Sequence, residues 1–126
     1  MGASLARGAV LVDYLRGHEG AAGVLQGERQ AAPLHASEIT RLEVLAGMRE
    51  AEEDATRSLL STLVWHPVAG DVAEEAGALG RRWLGSHHTI DGADLAIAAT
   101  VIRSGARLLT RNVRHFTMFA DLRAPY

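Results

Sequence analysis

The sequence predicts an α/β fold, a small parallel sheet flanked by helices on both faces, in a single domain that spans residues 1–126. Two observations support this. Short apolar segments with polar ends alternate with longer segments of helical periodicity, an order typical of parallel sheets with crossover helices. The chain is also long enough for one hydrophobic core, with 48% apolar and 22% charged residues. We therefore expect a doubly covered sheet.

Turn and cap residues separate the predicted elements. Gly17 stops the first helix, Pro33 leads into the second strand and Pro67 ends the third. Thr40 and Glu43 have the spacing of a capping box. In chain order the pattern predicts a weak strand over 2–6, helices over 10–15 and 21–28, a strand over 31–37, helices over 39–48 and 50–63, a strand over 63–68, helices over 71–84 and 94–102, and a strand over 107–110.

Composition excludes several classes of function. The absence of cysteine excludes disulfides, thiolate catalysis and cysteine-based zinc sites. No apolar run approaches membrane-spanning length and the N-terminus lacks a signal-peptide layout, so we predict a cytoplasmic protein with no membrane partner. A net charge of −2 argues against a general polyanion binder.

The distribution of charge is more informative than its sum. All 13 basic residues are arginine, whose planar fork can grip phosphate or carboxylate. From Arg81 onward the chain holds seven arginines against three aspartates and no glutamate. This basic C-terminal portion fits an RNA-cleaving surface, and it equally fits a surface that meets an acidic partner segment.

Three oxygen-bearing side chains stand out by position. Asp94 opens an almost wholly apolar helix, where an aspartate is either an N-cap or a ligand, and Asp91 competes for the cap. Asn112 follows the last strand, as a site residue or a plain turn residue. Glu43 lies on a helix whose other inward positions, Ile39, Leu42 and Leu45, are apolar; it is a site residue, an exposed carboxylate or a capping partner.

The segments "SEITRLEVLAGMR", "IDGADLAIAAT" and "ARLLTRNVRHF" resemble PIN-domain ribonucleases, in particular the toxins of VapBC-type toxin–antitoxin pairs. "VLVDYLRG" near the start and "HFTMFADLRAPY" at the end are similar to the same family. The resemblance runs from about Val10 to Tyr126, with the motifs in the family's order.

The resemblance implies a metal-dependent endoribonuclease that uses Mg²⁺ or Mn²⁺ to hydrolyse RNA phosphodiester bonds. It implies that Glu43, Asp94 and Asn112 are catalytic and that Glu43 and Asp94 bind the metal. Oxygen ligands suit such a hard cation, which can activate water and neutralise developing charge. Arg111 and Arg114 would grip the RNA backbone, or else are solvated surface charges. The implied partners are a cognate antitoxin, the RNA substrate and, in a homodimer, a second copy of the chain.

The chain departs from the family at its first metal ligand. The alignment on "VLVDYLRG" puts Arg7 where the family carries an aspartate, and Asp13, six residues further on, matches a position that binds no metal. A natural degenerate toxin, an altered start of the chain, or a first strand in another register would each explain the arginine. If Arg7 occupies the ligand position, cleavage is weak or absent, and the alternative function is a non-catalytic module that binds antitoxin or RNA.

Histidines offer weaker candidates. His87 and His88 are adjacent and more typical of a loop than of a transition-metal site. His115 either packs against the core or serves as a proton shuttle at the end of the last strand.

Overall fold

A computed structural model of the chain describes residues 2–85 and 90–126. The pair His87 and His88 lies outside the described residues. Within these ranges, four short parallel strands and six helices follow one another, as the sequence predicted. The elements are β1 (Ser4–Ala6), α1 (Gly8–Leu15), α2 (Glu19–Ala31), β2 (His35–Ser37), α3 (Glu38–Ala46), a 3₁₀ turn (Glu50–Glu52), α4 (Glu53–Leu60), β3 (Val64–His66), α5 (Gly70–Trp83), α6 (Gly92–Ser104), β4 (Arg107–Leu109) and a 3₁₀ turn (Val113–Phe116).

The strands pair in the order β3-β2-β1-β4, and every pair is parallel. The chain runs from β1 to β2 to β3 in one direction and then returns to the other side of β1. Strand order therefore reverses between β1 and β4. In open α/β sheets, a crevice forms outside the carboxyl ends of the strands at such a reversal. Residues that follow β1 and β4 are consequently placed to share a site.

Successive side chains of each strand point to opposite faces of the sheet, and a hydrophobic core forms on each face. On β1, Ala6 joins one buried cluster with α1, α2 and α4, whereas Leu5 joins a second cluster with α6. Ile97 of α6 is completely buried in that second cluster, which contributes about 1.5–3 kcal/mol. The prediction of helices on both faces is confirmed. The first strand, weak in the sequence, is buried along its whole length.

Two details of the predicted elements were wrong. Leu42, expected to face inward, is 64% exposed. The cap of α3 is Ser37, whose Oγ accepts from the N–H of Ile39, rather than the Thr40–Glu43 box. The helix starts earlier than predicted, so Glu43 falls in its second turn and is free of a capping role. No helix in the described ranges, 2–85 and 90–126, is both long and apolar enough to cross a membrane.

Candidate functional site: two carboxylates around Arg7

Arg7 stands at the centre of the sheet's carboxyl edge. It follows β1 directly and precedes α1, and its backbone N–H donates to the carbonyl of Leu109 on β4 at 3.0 Å. Its carbonyl accepts from the N–H groups of Val10 and Leu11 in the first turn of α1. These bonds fix the backbone of Arg7 at the strand reversal, so its side chain starts inside the predicted crevice.

The guanidinium of Arg7 joins two of the predicted site residues. Its Nη2 lies 3.1 Å from Glu43 Oε2 and 3.2 Å from Asp94 Oδ1. The contact with Glu43 is a hydrogen bond, whereas Oδ1 of Asp94 is buried and accepts no well-directed hydrogen bond. Arg7 and Asp94 are therefore held together mainly by charge. α3 and α6, separated by about fifty residues of sequence, meet at one cation.

Gly8 makes room for Glu43 beside Arg7. A Cβ at position 8 would stand 3.3 Å from Glu43 Oε1, closer than most such contacts. The absence of a side chain directly after Arg7 thus lets α3 bring its carboxylate to the end of β1.

Asp94 sits at the start of α6, in a capping box with Asp91. The N–H of Asp94 donates to Asp91 Oδ1 at 2.9 Å, and the N–H of Asp91 donates to Asp94 Oδ2 at 3.2 Å. Of the two roles that the sequence left open for Asp94, the N-cap belongs to Asp91, and Asp94 is its capping-box partner at the third helical position. The box fixes Asp94 Oδ1 toward Arg7, and the Asp94 side chain is only 1% exposed.

Burial sets the ionisation of the two acids. It raises the pKa of Asp94, against the lowering effects of the Asp91 hydrogen bond and of Arg7. Burial likewise raises the pKa of Glu43, and Arg7 opposes that shift. The pKa of Asp91 is lowered, chiefly by the hydrogen bond from the N–H of Asp94. Arg7 is therefore the charge that compensates two partly desolvated carboxylates.

His115 is a site neighbour that the sequence analysis weighed only as a shuttle or packing residue. Its Nδ1 lies 3.3 Å from Asp94 Oδ2, on the side of the carboxylate opposite Arg7. Its backbone N–H donates to the carbonyl of Asn112 at 3.0 Å. The 3₁₀ turn after β4 thus connects the exposed Asn112 to the buried acid. Asn112 lies at the same edge of the sheet, although within the described residues its side chain makes no hydrogen bond to either acid.

The predicted substrate-binding arginines lie in the same loop and are exposed. Arg111 is partly held in place: its Nη1 is 3.6 Å from Asp13 Oδ2, and its guanidinium lies 5.0 Å from the ring centre of Tyr126. Tyr126 donates a hydrogen bond to the same Asp13 oxygen at 2.7 Å. Arg114 has no such contact within the described part of the chain. Asp13 therefore belongs to the rim of the site and is not a substitute for the missing first acid.

The residues present do not fit the divalent metal that the resemblance implies. Within ranges 2–85 and 90–126, no group of three histidine, aspartate or glutamate side chains is arranged to hold a metal. The carboxylates of Glu43 and Asp94 each lie a little over 3 Å from Nη2 of Arg7. A cation between them would meet that positive charge at close range.

Comparisons with known proteins agree with the fold. The sequence model of the PIN domain matches residues 9–122. The chain is 49% identical to Ribonuclease VapC19 of Mycobacterium tuberculosis over 119 residues, covering 93% of this chain and 94% of that protein. It is 37% identical to Ribonuclease VapC10 of the same organism, covering 93% and 88%. Its structure matches a toxin–antitoxin complex from Klebsiella pneumoniae with a TM-score of 0.83 and 28% identity over 98% of both chains. The chain belongs to the PIN-domain family.

Proposed function

We propose that this chain is a VapC-type toxin, a ribonuclease of a VapBC-type toxin–antitoxin pair, with RNA as its substrate and a cognate antitoxin as its partner in the cytoplasm. The observation that carries the proposal is the meeting of Glu43 and Asp94 at the strand reversal, in a chain 49% identical to Ribonuclease VapC19. Cleavage is impaired in this chain because Arg7 takes up both carboxylates. A homodimer, as the family resemblance implies, is part of the proposal.

The remaining residues have roles in binding and orientation. Arg111 and Arg114 stand exposed on the loop after β4 and would contact successive phosphates of the RNA backbone. Asn112 between them offers an amide to the same strand. His115 Nδ1 lies 3.3 Å from the second oxygen of Asp94, beside the capping box that orients this carboxylate. The family's divalent ion, Mg²⁺ or Mn²⁺, would need Glu43 and Asp94 free of Arg7.

The direct test compares RNA cleavage by the natural chain and by Arg7→Asp, each with Mg²⁺ or with Mn²⁺. We expect the variant to cleave and the natural chain to be much slower, because the variant removes the competing cation and supplies a third carboxylate. Adding Asp94→Asn to Arg7→Asp should abolish the gain. Equally strong cleavage by both proteins would show that Arg7 does not suppress the site, and no cleavage by Arg7→Asp would contradict the ribonuclease assignment.

The antitoxin is tested separately. Co-expression with the product of a small neighbouring gene should give a complex that elutes together and whose mass corresponds to both chains. The structural match to a chain of a toxin–antitoxin complex supports this partner. Because the test uses no catalysis, it holds whether or not Arg7 blocks cleavage. Light scattering of the isolated chain would measure the proposed homodimer.

A second candidate function is a non-catalytic module that binds antitoxin or RNA. The ion pairs of Arg7 with Glu43 and Asp94 favour it, because they occupy the acids that hydrolysis would need. RNA binding by the natural chain without cleavage, together with inactive Arg7→Asp, would select this reading over the toxin ribonuclease.

A further inference from the structure

We propose that the guanidinium of Arg7 is the permanent cation of this site and that it keeps divalent metal ions from binding between Glu43 and Asp94. The inference deepens the proposed function and rests on it for the identity of the site. It concerns binding alone, so it can be tested without RNA.

The position of one atom carries the argument. Nη2 of Arg7 is within 3.2 Å of an oxygen from each acid, so it lies between them, where a bridging metal ion would also have to lie. A magnesium ion needs its oxygen ligands at about 2.0–2.1 Å in a nearly octahedral arrangement. Two oxygens that face the same nitrogen atom cannot take up that arrangement until the nitrogen leaves.

The surroundings keep the guanidinium in place. The Arg7 side chain is only 12% exposed, and its charged group lies 5.9 Å from the ring centre of Phe116, which is buried. Its Nη1 is buried and has no hydrogen-bond partner. An arginine at the surface could swing into water at little cost, but this one is enclosed, with its backbone fixed by β4 and α1.

The contacts of Asp94 indicate that the guanidinium of Arg7 takes the place of a metal ion. Its Oδ2 is engaged by His115 and by the N–H of Asp91, whereas its buried Oδ1 faces Arg7 and accepts no hydrogen bond. A buried carboxylate oxygen without a hydrogen bond needs a nearby positive charge. In this chain the positive charge is Arg7. Once Arg7 is removed, Oδ1 is a free ligand that already points into the crevice.

Charge explains the exclusion. The three acids Glu43, Asp91 and Asp94 with Arg7 carry a net charge of −2, and an aspartate at position 7 would make it −4. A divalent ion would also be repelled by a guanidinium about 4 Å away at low effective dielectric. We therefore expect the natural chain to bind Mn²⁺ at this site more weakly than Arg7→Asp by a factor on the order of 100 or more.

The experiment titrates Mn²⁺ into the intact protein and measures the free ion by electron paramagnetic resonance, with the melting temperature as a second measurement. We expect Arg7→Asp to bind one Mn²⁺ and to melt at a higher temperature when the ion is present. The natural chain should show neither effect. Adding Asp94→Asn to Arg7→Asp should remove the binding.

Two further variants keep the test decisive. Arg29→Asp makes the same change of net charge on the exposed face of α2, and it should bind no Mn²⁺. Arg7→Asn removes the cation without crowding a third acid into the site, so it covers the case in which Arg7→Asp folds poorly, and it should bind Mn²⁺ with intermediate affinity.

The outcomes separate the two proposals. Similar Mn²⁺ affinities in the natural chain and in Arg7→Asp would overturn the inference about Arg7 and leave the proposed function standing. If folded Arg7→Asp and Arg7→Asn both fail to bind Mn²⁺, Glu43 and Asp94 do not form a metal site, and both this inference and the site assignment are wrong.

Discussion

Replacing Arg7 by methionine should destabilise the protein substantially at neutral pH. Methionine keeps much of the apolar length of the side chain and removes its charge. Arg7 pairs with Glu43 and with the buried Asp94 at 3.1 and 3.2 Å. Without it, the contacts that remain to Asp94 within the described residues are the N–H of Asp91 and the ring of His115.

The size of the loss follows from burial. Unit charges about 4 Å apart attract by about 4 kcal/mol at an effective dielectric of about 20, before desolvation is subtracted. Removal of one partner from a buried pair costs about 3–5 kcal/mol, because a charge remains buried without compensation. Glu43 is 32% exposed and can turn to water, so Asp94 supplies most of the effect. We expect a loss of about 3 kcal/mol in the free energy of unfolding at pH 7.

Protonation of Asp94 and Glu43 makes the cost of Arg7→Met depend on pH. Burial already raises the pKa values of Asp94 and Glu43, and loss of Arg7 raises them further. A raised pKa in the folded state favours folding at low pH, and that contribution is lost as pH rises through the folded pKa. The penalty in Arg7→Met should therefore be smaller at pH 4 than at pH 7.

Urea denaturation at pH 4 and pH 7 measures both features. Arg103→Met is the matched control, since Arg103 pairs with Asp71 at 3.1 Å on the surface and its removal should cost about 1 kcal/mol or less. If Arg7→Met costs no more than Arg103→Met, or costs the same at both pH values, Asp94 does not depend on Arg7 for charge compensation.

Three further changes test the surroundings of the site and the sheet. Tyr126→Phe removes the 2.7 Å hydrogen bond to Asp13 and should cost about 0.5–1.5 kcal/mol in urea denaturation. Gly20→Ala would place a Cβ 2.9 Å from the Cβ of Tyr126, so it should lose stability, whereas Gly23→Ala on the exposed face of the same helix should gain about 0.5–1 kcal/mol. Desolvation, and then the neighbouring His66 of β3, lower the pKa of His35. The contribution of neutral His35 to stability is therefore present above pH 6.5 and is lost as pH falls through the folded pKa. We expect His35→Gln to reduce the loss of stability between pH 7 and pH 5.

Each of these has an outcome that contradicts it. An unchanged urea midpoint in Tyr126→Phe would mean that water replaces the phenol at Asp13. Equal gains from alanine at positions 20 and 23 would show that Tyr126 does not pack against α2. For His35, a variant as acid-sensitive as the natural chain would place the sensitivity elsewhere.

Local patterns were enough to predict most elements of the fold. Pro33, Pro67 and Gly17 were placed correctly between elements; Gly17 has a φ of 83°, and Gly105 after α6 has a φ of 71°. The almost wholly apolar stretch that follows Asp94 was predicted to be buried, and it is. These features are local, because turn residues and apolar runs act on the few residues beside them.

Local patterns did not predict where α3 begins or which of its side chains are buried. The sequence analysis considered only the Thr40–Glu43 spacing, whereas Ser37 caps α3 because the helix begins directly after β2. The buried positions of α3 are Thr40 and Val44, so Leu42 is exposed, although its spacing from Ile39 and Leu45 suits an inward face. Helical periodicity identifies a row of apolar positions along α3, but the packing of α1 against α3 decides which of these positions are buried.

The sequence by itself determined which chemical groups are available: two acids on separate helices, an arginine after the first strand, and an all-arginine basic surface. It is the folded chain that brings one nitrogen of Arg7 against both acids and places His115, rather than Asn112, beside the second oxygen of Asp94. The physical reason is distance along the chain. Charge interactions over a few ångströms depend on where parallel strands end, and the strand order that brings these ends together is a property of the whole sheet.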